Sequence, residues 1–321
     1  MHCDPTVESK PILLVALGGN ALIRKGQIGT IEEQFANLRT PLSQVARLSR
    51  HYRVIITHGN GPQVGNLLLQ QECCDALPRL PLEILVAQTQ GQIGFMIEAT
   101  LDNELMRLNL DLRQPFVTLL SYVLVDRNDP AFRNPSKPIG PAFSRETASK
   151  LPYPTIQTPK GFRRVVASPE PLTIVEKREI RQLIDLGFII IACGGGGIPV
   201  IRKRRGFHGV DAVIDKDLAS CVLAREVGVD VLVMATDVPG VGLNFGEANE
   251  HFPKRLSTEQ AKRHMERGMF PQGSMGPKVT AAVRFLEGGG GRAIICALED
   301  IEKAMQGLSG TELVLGHDAQ V

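Results

Sequence analysis

Three lysines stand among neighbours suited to handling phosphate: Lys137 in a proline-rich stretch, Lys216 between Asp215 and Asp217, and Lys278 directly after Gly276-Pro277. Phosphoryl transfer builds negative charge on the moving group, and what lowers its barrier is positioned cations rather than reactive side chains. Lys216 lies where an apolar run gives way to a helical pattern, so its two aspartates either cap the helix or hold the ammonium. Lys278 falls in a helix first turn, where the dipole opposes a cation, and that placement implies an anionic partner. Asp237 follows Met234-Ala235-Thr236 at a strand end, where it either contacts a nucleotide or caps the turn with Pro239 and Gly240.

Glycine clusters supply the second ingredient. Gly18-Gly19-Asn20, Gly59-Asn60-Gly61 and Gly194-Gly195-Gly196-Gly197 each follow an apolar run. Glycine at a strand end lets backbone N–H groups face an anion, although a plain tight turn reads the same way. Three such junctions at one edge of a parallel sheet are harder to explain by turns alone, and together they describe an anion pocket. His58 is either an acid/base group or a hydrogen-bonding structural residue. A dinucleotide fingerprint fails because Val64 stands where its last glycine belongs, and G-x-x-x-x-G-K-[ST] is absent.

These residues need elements to hold them. Short apolar runs at 12–17, 53–57, 188–193, 229–235 and 292–297 read as buried strands. Helical spacing covers 30–51, 62–74, 82–108, 174–186, 216–227, 257–267 and 277–287. The alternation predicts a mostly parallel sheet with helices on both faces, and ligands at the strand C-terminal ends. Residues 126–171 are proline-rich, basic and aperiodic, too long for an ordinary connection, and are expected to form a small protruding subdomain or lid.

Composition narrows the class. A net charge of +2 provides no field for nucleic acid or an anionic membrane. The run Arg202-Lys203-Arg204-Arg205 reads as a solvated turn, with a binding patch as the alternative. Six cysteines show no C-x-x-C pair or zinc spacing, which suits reduced thiols; Cys193 and Cys296 read as small core residues, and Cys73-Cys74 as helical. Residues 1–10 form a polar tail without a signal core, and no run is long enough to span a bilayer, so a cytoplasmic location is expected.

With these residues in view, the chain resembles the carbamate kinases, within the amino acid kinase family, from about residue 12 to 314. The resemblance rests on ALGGNAL (16–22), THGNGPQVG (57–65), DPAFRNPSKPIGP (129–141), GFRRVVASPEP (161–171), ACGGGGIPVI (192–201), AVIDKDLAS (212–220) and GSMGPKV (273–279), in that order. It implies a three-layer αβα open sandwich forming a single domain over 11–321. A carbamate or carbamoyl-phosphate lobe would span about 11–211, containing the lid of 126–171, and a nucleotide lobe about 212–321. It further implies a homodimer, with ATP or ADP and Mg²⁺ as ligands and no nucleic acid or membrane partner. Catalytic roles would fall to Lys137, Lys216, Asp217 and Lys278. Gly18, Gly19, Asn20, Gly59, Asn60, Gly61, Gly195 and Gly196 would bind substrate, and Lys216, Asp237, Met275, Gly276 and Lys278 the nucleotide.

Two departures stand out: Gly242 replaces a tyrosine common in relatives near the base, and the lid is short between Leu151 and Gly161. Two alternatives stay open, a related kinase for another small carboxylate or oxyanion, and a catalytically silent nucleotide sensor. The intact lysines and Asp217 argue against the silent form.

Overall fold

Strand β1 (Ile12–Leu17) is apolar at every position because both of its faces are covered. Ile12, Leu14 and Ala16 enter one core cluster, and Leu13, Val15 and Leu17 the other, as two-residue alternation requires. Each fully buried leucine or isoleucine contributes about 1.5–3 kcal/mol, which makes this doubly covered strand the backbone of the fold. These features come from a computed structural model that describes residues 10–73, 76–110, 114–158, 161–247, 249–271 and 273–316.

The main sheet adds β2 (Arg53–His58), β3 (Phe116–Thr118), β9 (Ile189–Ile191), β12 (Val231–Thr236), β13 (Arg255–Ser257), β14 (Arg292–Ala297) and β15 (Thr311–Val314), in the order β13-β15-β14-β12-β1-β2-β9-β3. Its pairings are parallel except β14 with β15. Helices α1 (Ile31–Leu48), α3 (Leu82–Arg107) and α9 (Ile301–Met305) cover one face. Helices α5 (Lys177–Asp185), α6 (Lys216–Val227), α7 (Thr258–Glu266) and α8 (Met275–Glu287) cover the other. This is the expected three-layer α/β architecture.

A second sheet joins β4 (Tyr122–Val125), β8 (Pro171–Ile174), β10 (Ile198–Lys203) and β11 (Gly206–Gly209). Antiparallel β4 and β8 bracket residues 126–170, so this segment leaves and re-enters the fold at one place. Within it, β5 (Lys137–Phe143), β6 (Thr155–Thr158) and β7 (Gly161–Val166) form a separate antiparallel sheet, with the short helix α4 (Arg145–Ala148) between them. The sequence showed little periodicity here because the strands are short and partly exposed on both faces. The sheet docks on α2 (Gly61–Glu72), where Ile139 joins a cluster with Val64 and Val86. A Cβ on Gly65 would lie 2.0 Å from the Gly140 Cα, so backbone meets backbone there.

Some boundaries differ from the spacing. Ile174 ends β8, where it pairs with Val123, and the helix begins only at Lys177. Helix α8 starts two residues before Pro277, because proline in a first turn lacks only an N–H that would be unpaired anyway. Cys73 follows the end of α2 as its C-cap, and Cys74 lies outside the described residues, as do residues 1–9 of the tail and positions 159 and 160 of the shortened lid stretch. Cys193 and Cys296 are buried. The basic run 202–205 is exposed at the β10–β11 turn.

Candidate active site

The C-terminal ends of β12, β1, β2 and β9 lie side by side, and all three glycine clusters emerge there. Not every glycine N–H faces outward, however. Gly18 donates to Ala235 O at 2.9 Å, Gly59 to Leu17 O at 3.2 Å and Gly196 to Cys193 O at 3.0 Å. The first two hold their loops to the sheet and the third closes its own turn, so none of these N–H groups lines a pocket. The Gly19–Ala21 3₁₀ turn makes its first bond from Ala21 N to Gly18 O, so the N–H groups of Gly19 and Asn20 precede the bonded part of the turn.

Helix α2 likewise opens without a side-chain cap. Its N-cap residue, Asn60, is buried and donates to Thr89 Oγ1 at 2.8 Å, which leaves the Gly61 N–H at an uncapped helix start. Asn60 is fixed from behind by Gly195, whose φ is +67° and whose Cβ would lie 2.2 Å from Asn60 Nδ2. The third glycine cluster therefore shapes the site by packing.

His58 is fully enclosed beside this cluster. Burial pushes its pKa down to about 4, so the ring is neutral near pH 7. Its Nδ1 donates to Gly59 O at 3.1 Å, and its Nε2 side packs on Gly194. This is the hydrogen-bonding structural role.

The lysines converge on two aspartates at the start of α6. Asp215 caps the helix, accepting from Asp217 N at 2.9 Å and Leu218 N at 3.3 Å, and also pairs with Lys137 from β5. Capping and charge holding, alternatives in the sequence, are thus both performed by one carboxylate. Asp217 accepts from Lys216 Nζ at 2.5 Å and from Lys278 Nζ at 3.0 Å. It is the anionic partner that the dipole-opposed position of Lys278 implied.

Lys216, Asp217 and Lys278 are all buried. Burial opposes the charge on Asp217, but the two ammoniums outweigh it and hold the carboxyl well below its ordinary range. Burial pulls Lys216 down, with Lys278 adding repulsion and Asp217 resisting. For Lys278 burial also opposes the charge, yet Asp217 wins and raises it. Ser220 of α6 lies 2.7 Å from Thr57 of β2, Oγ to Oγ, and pins this helix start to the sheet edge. The Lys216 stem consequently runs beneath the second glycine loop, 4.0 Å from where a Gly59 Cβ would be.

A cleft of about 520 Å³ adjoins the cluster. Pro138, Thr158 and Arg163 line it from the three-stranded sheet, and Asp237, Met275 and Lys278 from the opposite side. Helix α8 begins here with no side-chain cap from Ser274. The Gly276 N–H is committed to Pro271 O at 3.1 Å, so that glycine supports the turn. Asp237 is the carboxylate among the described lining residues, and its Oδ1 accepts from Thr236 Oγ1 at 3.2 Å. Among the described residues no group of three or more His, Cys, Asp or Glu side chains forms a metal cage.

Residues 11–297 match the amino acid kinase family. Carbamate kinase of Thermococcus kodakarensis is 46% identical over 312 residues, which cover 94% of this chain and 98% of that protein. The chain belongs to the amino acid kinase family, among its carbamate kinases. A carbamate kinase from Giardia lamblia bound to citric acid superposes with a TM-score of 0.90 at 35% identity, covering 96% of this chain and 99% of that one. The same enzyme bound to AMP-PNP gives 0.86 at 36% identity with the same coverage.

Within this family the chain's own departures acquire a physical setting. At Gly242 a Cβ would sit 3.1 Å from the Phe245 ring and 3.2 Å from that of Phe252. Phe245, more than half exposed, lines the cleft, so an aromatic face is present although position 242 does not supply it. Sequence reasoning left the role of Asp215 undivided and passed over Phe245 and Arg163. The doublet of aspartates around Lys216 was a signal for the first; nothing local marked the others.

Proposed function

We propose that this chain is a carbamate kinase, transferring phosphate between ATP and carbamate in one direction and between carbamoyl phosphate and ADP in the other. The observation that carries this reading is the meeting of Lys137, Lys216 and Lys278 on Asp215 and Asp217 at the strand C-terminal edge, in a chain of this family.

In the ATP-forming direction an ADP β-phosphate oxygen attacks phosphorus, and the bond from phosphorus to the carbamate oxygen breaks. Both nucleophile and leaving group are anionic oxygens, so no general base is needed and catalysis is positioning plus charge stabilisation. The N–H groups of Gly19, Asn20 and Gly61 hold the carbamoyl and phosphoryl oxygens. Lys216 and Lys278 neutralise the oxygens on the transferring phosphorus, and Asp217 orients both. Lys137 leaves Asp215 for the same group when substrate enters. Mg²⁺ bound with the nucleotide would shield charge on the phosphates, and since no protein cage exists among the described residues, the oxygen-donor Asp237 is the residue that would face it.

Synthesis of ATP from carbamoyl phosphate is the proposed use, in the cytoplasm. No described helix is long and apolar enough to cross a membrane. A homodimer is proposed on the exposed Ile84, Phe95 and Met106, which recur every three turns along one line of α3.

The test mixes purified protein, ADP, Mg²⁺ and carbamoyl phosphate and measures ATP. Formation well above the uncatalysed background is expected, and Lys216→Ala should lower turnover by about 10² or more. No ATP above background refutes the reading.

A further inference from the structure

Neighbouring arginines on β7 meet opposite fates. Successive side chains of a strand point to opposite faces of its sheet. Arg164 turns to the α2 side, pairs with Glu72 and lays its guanidinium 4.0 Å from the Tyr153 ring centre. Arg163 turns to the cleft. Its Nε donates to Gly140 O at 2.9 Å, and among the described residues no carboxylate pairs with it, Asp237 on the same cleft included. Burial alone acts on its pKa, pulling it down, with no anion to offset the cost.

A half-buried guanidinium without a counter-charge is unfavourable unless a ligand brings one. With Nε committed, and no other partner for the guanidinium among the described residues, both terminal nitrogens remain to make the paired contact that guanidinium forms with phosphate oxygens. It shares the cleft with Asp237, Phe245, Met275 and Lys278, the last two in the first turn of α8, which has no side-chain cap, whereas the first two glycine loops and Lys216 do not line this cleft. We propose that Arg163 is a nucleotide-binding residue, the lid sheet's own contact to the phosphate chain of ATP or ADP, lining the same cleft as Lys278 but from the lid side. The inference rests on the kinase reading for the identity of its anion.

The test titrates ADP and adenosine into wild-type protein and the Arg163→Met and Arg163→Lys variants, and measures KM for carbamoyl phosphate. Arg163→Met should weaken ADP by about 10- to 100-fold, leave adenosine and the carbamoyl phosphate KM within about twofold, and Arg163→Lys should recover part of the loss. Equal weakening of adenosine and ADP, or an unchanged ADP affinity, overturns the assignment. If Arg163→Met melts early, Arg163→Gln, which keeps a donor for Gly140 O, carries the same comparison. Wild-type protein that binds ADP but makes no ATP from carbamoyl phosphate refutes the acceptor reading, while the ADP titrations still decide Arg163.

Discussion

Asp217→Asn removes one charge and almost no volume from the centre of the site. The wild-type carboxylate receives Lys216 at 2.5 Å and Lys278 at 3.0 Å, all three groups being buried. A unit charge pair at such a separation is worth about 6 kcal/mol at an effective dielectric near 20. The asparagine leaves two buried ammoniums beside each other without their shared carboxylate, with only the weaker fields of Asp215 on both and Asp237 on Lys278 to balance them. Lys216, already drawn down by burial, is the one that gives up its proton. Losing one charge contact on the transferring phosphate should lower kcat by about 10²–10³, or about 2.7–4 kcal/mol of barrier. Because protonated Lys216 is the active form, the variant's kcat should start to fall at a lower pH than the wild type's as pH rises. Initial rates of ATP formation from carbamoyl phosphate and ADP, measured from mildly acidic to alkaline pH, read both effects. A Lys216→Met/Asp217→Asn double variant should be little worse than Lys216→Met alone, since the two residues act as a unit. A variant within about tenfold of wild type, with an alkaline limb at no lower pH than the wild type's, refutes the reasoning.

The buried His58 makes a pH prediction for stability. Its folded pKa of about 4 lies below the ordinary 6.5, so between these values the unfolded chain binds the extra proton and stability rises with pH. The neutral ring's contribution is present above the upper value and lost as pH falls to the lower, by about 3 kcal/mol; His58→Asn should flatten that part of a melting-temperature profile, and an unaltered slope contradicts it. Gly195→Ala places a methyl on the Asn60 amide at positive φ and should lower the melting temperature and kcat together, by more than about 1 kcal/mol in stability; a full-activity variant of wild-type stability would show that the loop yields. Lys137→Met cuts the pair between lid and Asp215. It should speed proteolysis within 144–161 and lower kcat by about 10², and unchanged cleavage and turnover would remove Lys137 from both roles.

Much of the layered fold was legible along the chain because its cause is local. An apolar run as short as 12–17 with glycine at its end reads as a strand covered on both faces, and the glycine marks where the backbone turns. The lysines were legible as types in improbable places, above all Lys278 against its helix dipole. The lid's strands were not, since short strands partly exposed on both faces leave no period to read.

What the sequence determined by itself was the set of elements and the presence of cations and glycines at their ends. Tertiary structure alone decided the pairings. Lys137 reaches Asp215 across 78 residues and Lys278 reaches Asp217 across 61, distances over which no periodicity carries information. It also decided which groups were already satisfied: the N–H of Gly18 is committed and that of Gly19 precedes its turn's first bond, Arg164 is paired and Arg163 is not. Adjacent residues of one type differ in this way because a donor's or a charge's availability depends on what the fold brings to it.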